Sequence, residues 1–214
     1  MNQGRVAANM SPTLIQYINA LDDQRIEAGR KKHLDEIIQS LNKWYVEHKQ
    51  LDLVFICTHN SRRSILAETW AFVAAYFYNK LNISVYSGGT EQTAVYPSIV
   101  STLQEAGLDI QAQGQEANRS YLVKLDDQLL ELNSKRYDSN MNPKNNFVSV
   151  MTCSDADQNC PFIPSALERI SLTFEDPKFS DGTNDEYQVY FNKSMEIANE
   201  LFYIFSLLTH EKKA

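Results

Sequence analysis

A cysteine, an arginine and a serine in one short loop are the groups of this sequence best suited to covalent chemistry. Residues 57–64, CTHNSRRS, have the spacing C-x₅-R-S. They follow a short apolar run at 51–56 and precede a long apolar run at 64–81, which predict a buried strand and a buried helix. A loop between them directs backbone N–H groups at one point, where the helix dipole also favours an anion. The stretch therefore predicts an anion site that contains a nucleophile.

The side chains of this loop have complementary chemistry. The guanidinium of Arg63 is a planar fork that can bind two oxygens of a tetrahedral oxyanion. The same positive field favours the thiolate form of Cys57. A buried core cysteine beside a solvated loop is the alternative, but Asn60 and Ser64 between strand and helix favour the anion site. The predicted oxyanion-binding residues are Thr58, His59, Asn60, Ser61, Arg62 and Arg63.

The loop resembles the catalytic loop of the low-molecular-weight protein tyrosine phosphatases and of the thioredoxin-coupled arsenate reductases built on the same fold. The resemblance implies that Cys57 is the nucleophile and that Arg63 binds the oxyanion. It also implies that the Ser64 hydroxyl hydrogen-bonds the thiolate, and that Asn60 holds a left-handed turn.

Two positions depart from that family pattern. His59 stands where the family usually has glycine, and Arg62 stands where many members carry a second cysteine. Histidine tolerates a positive φ better than most residues do. Neither change removes a group that the resemblance requires.

The other two cysteines, Cys153 and Cys160, lie together in TCSDADQNCPFIP, after an apolar run at 147–151 that predicts a central parallel strand. Adjacent strands are about 5 Å apart, so Cys57 and Cys153 would approach each other if their strands are neighbours. A helix of seven residues spans about 10 Å, too far for a disulfide, so a bond between Cys153 and Cys160 requires the segment to unwind. The alternatives are two small core residues or a metal site, and the four histidines show no metal-ligand spacing.

The segment C-S-D-A-D-x-N-C-P resembles the redox helix of the thioredoxin-coupled arsenate reductases. The resemblance implies a thiol–disulfide relay through Cys57, Cys153 and Cys160 that a thioredoxin-like reductant recycles, with no cofactor. We therefore favour arsenate reduction. Phosphomonoester hydrolysis through a Cys57 phosphoenzyme stays open as the second function, and a non-catalytic redox or binding module as the third.

A carboxylate that could act as an acid lies in LTFEDP, residues 172–177. A strand is predicted at 169–174, and the Asp-Pro pair stiffens the following turn. The resemblance implies that Asp176 is the general acid that protonates the departing oxygen, with Glu175 less suited. Phosphatases that act on proteins usually have aromatic residues directly after this proline, whereas here Lys178 precedes Phe179.

A further set of residues could support the loop. The segment YSGGT at 86–90 ends the second strand, and the resemblance implies that Ser87 braces Asn60. Some arsenate reductases of this type bind potassium with residues that match Asn60, Glu68 and Ser87, but no fourth, acidic ligand is evident. Glu68 is more simply interpreted as a solvated helix residue, so no metal is predicted.

Composition limits the class of protein. With 214 residues and 43% hydrophobic residues, the chain is large enough for one α/β domain with additions. A net charge of −7 and the lack of a basic, aromatic-rich patch argue against a nucleic-acid partner. No secretory signal, membrane span or lipidation motif is recognisable, so a cytoplasmic location without a membrane partner is expected.

The family resemblance covers residues 51–208 and implies a three-layer α/β/α fold with a four-stranded parallel sheet of order 2-1-3-4. We predict a catalytic domain at 51–214 and an N-terminal helical extension at 1–50. The extension contains two amphipathic stretches, 12–26 and 32–48, whose apolar stripes either pack on the core or form a homodimer surface. Further helices are predicted at 98–106 and 186–208, and the connection at 111–146 is longer than usual for the family.

Overall fold

The computed structural model describes residues 9–159, 163 and 165–211. Its α-helices, in chain order, are α1 Pro12–Asn19, α2 Ala28–His48, α3 Arg63–Phe77, α4 Pro97–Glu105, α5 Ser154–Asn159 and α6 Glu186–Leu207. The strands are β1 Leu51–Cys57, β2 Ile83–Gly89, β3 Asp109–Gln113, β4 Ser120–Leu125, β5 Gln128–Leu132, β6 Phe147–Met151 and β7 Ala166–Ser171. Short 3₁₀ helices form at Asp23–Arg25 and Pro177–Ser180.

The main sheet is parallel, with strand order β2-β1-β6-β7. Both faces are covered: Leu53 and Phe55 of β1 belong to one apolar cluster, and Val54 and Ile56 belong to another. A strand buried on both faces explains why 51–56 is a continuous apolar run rather than an alternating one. The predicted α/β fold and its strand order are confirmed, with β6 and β7 as the third and fourth strands of the sheet.

The N-terminal helices pack against the sheet domain. Leu14 of α1 and Leu34 of α2 are buried in the same apolar cluster as the core helix α3. Tyr17 stacks on Trp70 of α3 with ring centroids 4.8 Å apart. The apolar stripes of the extension are therefore covered within this chain, which is the first of the two arrangements that the sequence left open.

Arg30 of α2 links the extension to the segment that precedes Asp176. Its Nε and one terminal nitrogen donate to the two carboxylate oxygens of Glu200, each at 2.7 Å. The same terminal nitrogen donates to the carbonyl of Thr173 at 3.1 Å, and the guanidinium lies over the Phe174 ring. The extension thus contacts the backbone that leads to the predicted acid.

Several predicted boundaries were wrong, for reasons that capping explains. The helix predicted at 12–26 ends at Asn19, because Asp22 caps a separate 3₁₀ turn through Gln24 N. The next helix begins earlier than predicted because Glu27 accepts from the backbone N–H groups at its start. The helix predicted at 64–81 ends at Phe77, before Asn79 turns left-handed with φ 54°.

The strand predicted at 169–174 is instead Ala166–Ser171. Its partner β6 ends at Met151, so the ladder has no strand to continue along. Leu172 and Phe174 still donate to the carbonyls of Met151 and Thr152, which holds the chain close to the sheet edge as it approaches Asp176.

The long connection after α4 contains a three-stranded antiparallel sheet, β3-β4-β5, which the sequence did not predict. β4 and β5 form a hairpin whose turn contains Asp126, with φ 57°. Tyr76 of α3 donates to the Asp126 carboxylate, which fixes the hairpin to the core. The chain then returns through residues 133–146 to the end of β2.

None of the helices in the described part of the chain combines the length and the apolar character that a membrane span requires.

Leu34→Ala tests whether the extension and the sheet unfold together. Removing this fully buried side chain should lower the free energy of unfolding by about 2–5 kcal/mol. Because the core is shared, urea titration should show the same midpoint shift in the Trp70 fluorescence, read in a Trp44→Phe background, and in the helical circular dichroism. The exposed change Glu36→Ala is the control. Two separate transitions in the circular dichroism, of which the mutation shifts only the first, would show that the extension unfolds separately.

Candidate active site

The loop between β1 and α3 surrounds the sulfur of Cys57. Asn60 is left-handed, with φ 47°, and its backbone N–H points back and donates to Cys57 Sγ at 3.2 Å. The cysteine is 3% exposed, so its sulfur lies largely within the loop. Within the described part of the chain, no residue accepts a hydrogen bond from the amides of His59, Ser61 and Arg62. These amides are donors available to an oxyanion bound in front of the sulfur.

The side-chain amide of Asn60 organises two serines. Its Nδ2 donates to Ser64 Oγ at 2.9 Å and to Ser87 Oγ at 2.8 Å. Ser64 Oγ lies 3.1 Å from Cys57 Sγ. Because Ser64 already accepts from Asn60, its own hydroxyl proton is free to be donated to the sulfur.

Arg63, at the start of α3, is buried, and two of its three guanidinium nitrogens already have protein acceptors. One terminal nitrogen donates to the Phe174 carbonyl at 3.1 Å, and the other lies 2.5 Å from Asp176 Oδ2. Its Nε is buried and has no acceptor among the described residues. A buried charged donor without an acceptor is unfavourable, so the arrangement fits a guanidinium that receives an anion.

Asp176 lies at the start of the Pro177–Ser180 turn and faces Arg63. Its Oδ1 accepts from Lys178 N at 3.1 Å, which fixes the carboxylate in the turn. Its side chain is 34% exposed, so solvent protons can reach it. The neighbouring Glu175 is exposed, whereas Asp176 makes the contact with the loop arginine.

Cys153 lies directly beside the loop. It follows β6, the strand next to β1, and is fully buried in one apolar cluster with Cys57. Its Sγ is 3.6 Å from Thr58 Oγ1 and accepts from Ala156 N at 3.3 Å. Both Cys57 and Cys153 are free thiols. Cys160, the third predicted redox residue, lies outside the described residues.

A segment that the sequence did not single out supports the loop from the side. Ser134 Oγ donates to the carbonyl of His59 at 3.0 Å, and Lys135 N donates to Asn60 Oδ1 at 2.8 Å. Gly88 allows this close crossing, since a Cβ there would lie 2.3 Å from the Cα of Tyr137. The Gly-Gly pair at the end of β2 was the one sequence signal of this approach.

Residues 52–200 match the family described as low molecular weight phosphotyrosine protein phosphatase. The chain belongs to this family. The arsenate reductase of Bacillus subtilis (strain 168) is 32% identical over 150 residues, which cover 70% of this chain and 91% of that protein. The arsenate reductase of Staphylococcus aureus (strain Newman) is 35% identical over 126 residues, 58% of this chain and 77% of that protein.

A solved structure of an arsenate reductase in the phosphate binding state shares the fold. The two structures superpose with a TM-score of 0.51 at 17% sequence identity. The match covers 75% of this chain and 100% of that chain. The low molecular weight phosphatase fold therefore accounts for the β1–loop–α3 unit. Within the loop, this chain departs from the family pattern expected above at Arg62 and His59.

Arg62, one of these differences, does not direct its side chain at the oxyanion position. Its guanidinium binds the Tyr190 hydroxyl at 2.6 Å and the Asp181 carboxylate at 2.5 Å, and it stacks on the ring of Tyr96. Burial and the acceptor Asp181 raise the pKa of Tyr190 above its usual range, so this phenol stays neutral. Arg62 therefore contributes only its backbone N–H to the loop.

His59, the other difference, needs no unusual backbone, since Asn60 alone in this loop has a positive φ. Its carbonyl is anchored by Thr93 Oγ1 at 2.9 Å as well as by Ser134. The imidazole is 44% exposed beside Glu91. Histidine is thus accommodated in place of glycine because its side chain projects to the rim of the site.

Glu68, expected to be a solvated helix residue, is buried, so that interpretation was wrong. Its Oε2 accepts from Ser87 Oγ at 2.5 Å, and Lys135 Nζ lies 4.0 Å from its Oε1. The oxygen of the Asn60 carboxamide is likewise occupied, by Lys135 N. Asn60, Glu68 and Ser87 are therefore together but do not fit a potassium ion. The described residues contain no cluster of His, Cys, Asp and Glu that could hold a metal.

Arg63→Lys tests the guanidinium fork. A lysine ammonium cannot replace two parallel donors, so phosphate should bind about 10- to 100-fold more weakly. Isothermal titration calorimetry with phosphate measures this. The matched control is Arg62→Lys, which should change phosphate affinity little because that side chain faces Asp181. An equal loss in both variants would contradict the assignment of the oxyanion to Arg63.

Proposed function

We propose that this protein is an arsenate reductase that uses an intramolecular cysteine relay. The observation that carries the proposal is the position of Cys153, buried beside the Cys57 loop at the end of the adjacent strand. Family membership supports the oxyanion chemistry of the loop. Relatives named arsenate reductase, at 32% and 35% identity, support arsenate as the oxyanion.

The first step joins arsenate to Cys57. The loop amides and Arg63 bind arsenate, and the Cys57 thiolate attacks arsenic to form an S–As bond. One arsenate oxygen leaves as water after it takes a proton from Asp176. Arg63 must first transfer its terminal nitrogen from Asp176 to the oxyanion.

The second step reduces arsenic. Cys153, as thiolate, attacks the Cys57 sulfur, so an S–S bond forms and the S–As bond breaks. The electron pair of that bond stays on arsenic, which leaves as arsenite, and two thiols have become one disulfide. The placement of Thr58 Oγ1 at 3.6 Å from Cys153 Sγ supports a short path between the sulfurs.

The third step regenerates the nucleophile. Cys160 attacks Cys153, releases the Cys57 thiolate and leaves a Cys153–Cys160 disulfide for a thioredoxin-like dithiol to reduce. Residues 154–159 between these cysteines are helical. A helix holds its ends too far apart for a disulfide, so the oxidised product requires this segment to unwind and present the disulfide to the reductant.

Phosphomonoester hydrolysis is the second candidate, since arsenate and phosphate share the same tetrahedral geometry. The exposed ring of Phe179, 76% exposed and three residues after Asp176, favours it because an aryl phosphate could stack there. The direct test compares arsenate-dependent oxidation of thioredoxin with hydrolysis of an aryl phosphate. The relay requires the first reaction to be the faster one.

Cys153→Ala separates the two candidates. Arsenate turnover should be abolished because no thiol can resolve the Cys57 adduct, whereas hydrolysis of an aryl phosphate needs only Cys57, Arg63 and Asp176 and should be retained. Cys57→Ser is the control that should lose both activities. Multiple arsenate turnovers in Cys153→Ala, or equal loss of both activities, would refute the relay.

Cys160→Ser tests the order of the relay. After one equivalent of arsenate, this variant should accumulate a Cys57–Cys153 disulfide because the third thiol is missing. Peptide mapping under non-reducing conditions identifies the linked peptides. Free thiols only, or a disulfide between two molecules, would be incompatible with the proposed sequence.

A further inference from the structure

Two adjacent arginines at the start of α3 bind the two ends of one turn. Asp176 and Asp181 lie immediately before and after the Pro177–Ser180 turn. Arg63 Nη2 is 2.5 Å from Asp176 Oδ2, and Arg62 Nη2 is 2.5 Å from Asp181 Oδ2. These two ion pairs attach the turn to the loop that surrounds the nucleophile.

The contact between Arg62 and Asp181 is part of a closed ring of three side chains. Arg62 Nε donates to the Tyr190 hydroxyl at 2.6 Å, and that hydroxyl donates to Asp181 Oδ1 at 2.6 Å. Both carboxylate oxygens therefore have a donor. The guanidinium carbon lies 4.1 Å from the centroid of the Tyr96 ring, and Tyr190 is fully buried in α6. Asp181 is thereby fixed to two helices of the core, α3 and α6.

The two ion pairs respond differently to an oxyanion. Arg63 Nε is buried and has no acceptor among the described residues, so Nε and Nη2 can bind two oxygens once Nη2 releases Asp176. The corresponding edge of Arg62 binds Tyr190 and Asp181 and does not face the oxyanion position. Binding of an oxyanion therefore breaks the first attachment of the turn and leaves the second in place.

The polar contacts inside the turn do not attach it to the loop. Lys178 N donates to Asp176 Oδ1, and Asp181 N donates to the Lys178 carbonyl. These bonds shape the turn, but all of their partners move with it. Once Arg63 has released Asp176, the ion pair of Arg62 still connects the turn to the start of α3.

We propose that Arg62 is a positioning residue: through Asp181 it holds the turn that bears Asp176 beside the bound oxyanion, after Arg63 has exchanged Asp176 for that oxyanion. The proposal rests on the proposed function to the extent that Asp176 is the acid of that reaction. The Arg62 side chain binds Asp181 and Tyr190 rather than the reacting groups. Its effect is therefore confined to reactions whose departing oxygen needs a proton.

Aryl phosphates with different leaving groups test this role. In Arg62→Ala, kcat/KM for phenyl phosphate should fall about 10- to 100-fold, because misplacing a catalytic group by about 1 Å can cost about 100-fold in rate. For 2,4-dinitrophenyl phosphate it should fall less than about 2-fold, since this leaving group departs without a proton. Arg62→Lys, whose ammonium can still pair with Asp181, should recover part of the phenyl phosphate rate. Arg119→Ala, an exposed arginine before β4, is the control.

A double-mutant cycle with Asp176→Asn shows whether Arg62 acts through the acid. If it does, adding Arg62→Ala to Asp176→Asn should cause no further loss with phenyl phosphate. A further loss of about 10-fold in that background, or equal losses with both aryl phosphates, would overturn the proposal. If Arg62→Ala does not fold, Asp181→Asn keeps the shape of the site, removes the charge partner, and should show a smaller loss of the same pattern. Equal losses with both substrates in that variant would also count against the proposal.

Amide hydrogen exchange measures the attachment of the turn without any turnover. Peptides that cover residues 177–183 are compared in wild type and Arg62→Ala, with and without saturating inorganic phosphate. Phosphate should speed their exchange in Arg62→Ala, because Arg63 then no longer binds Asp176, and should not speed it in wild type. A purely structural arginine would speed exchange equally with and without phosphate, and that result would refute the proposal.

These readouts are separate from those of the proposed function. The aryl phosphates and the phosphate-dependent exchange require neither Cys153 nor a reductant, so a wild type that does not turn over arsenate would refute arsenate reduction and leave the role of Arg62 measurable. In Arg62→Ala, kcat/KM for arsenate should also fall about 10- to 100-fold, because its departing oxygen needs a proton. An unchanged value would refute the role of Arg62 and leave the proposed function intact.

Discussion

The carboxamide of Asn60 is the point on which the site depends. Its backbone is left-handed, which turns the N–H of the same residue toward Cys57 Sγ. Its side chain binds Ser64, Ser87 and the backbone of Lys135, so every hydrogen-bonding atom of the amide is used. One buried residue therefore joins the loop, the second strand and the long connection. Alanine there would leave several buried polar groups unpaired at once.

The parallel sheet supplies the second constraint. Pairing of Ile56 with Met151 places the residues that follow both strands at one edge of the sheet. Cys57 and Cys153 share an apolar cluster for this reason, although they are distant in the chain. In the relay proposed above, the burial of Cys153 would keep its thiol away from solvent until the Cys57 adduct has formed.

The N-terminal extension contacts the segment that leads to Asp176. Arg30 binds the Thr173 carbonyl while Arg63 binds the carbonyl of Phe174, so two guanidinium groups hold the backbone leading to Asp176. Burial raises the pKa of Glu200, which Arg30 opposes through two hydrogen bonds. The extension therefore contributes to the placement of Asp176 as well as to the core.

The local pattern of the sequence determined the loop and the elements around it. The C-x₅-R-S spacing and the continuous apolar run of β1 are short-range features, so a strand–loop–helix unit around residues 57–64 was predictable from the sequence. Asp176 was singled out only by the family resemblance. The β3–β5 sheet was missed because its strands pair only with one another and not with the main sheet. Element boundaries failed where side-chain caps, such as Asp22 and Glu27, compete with helical periodicity.

Only the tertiary structure decided what the charged residues do. Glu68 and Lys135 are far apart in the chain, and nothing in their local sequence distinguishes them from solvated surface residues. Arg62 and Arg63 are adjacent, yet one faces Asp181 and the other Asp176. The contacts of a charged side chain depend on which oppositely charged group the fold places next to it. For these residues that group lies in a distant part of the chain.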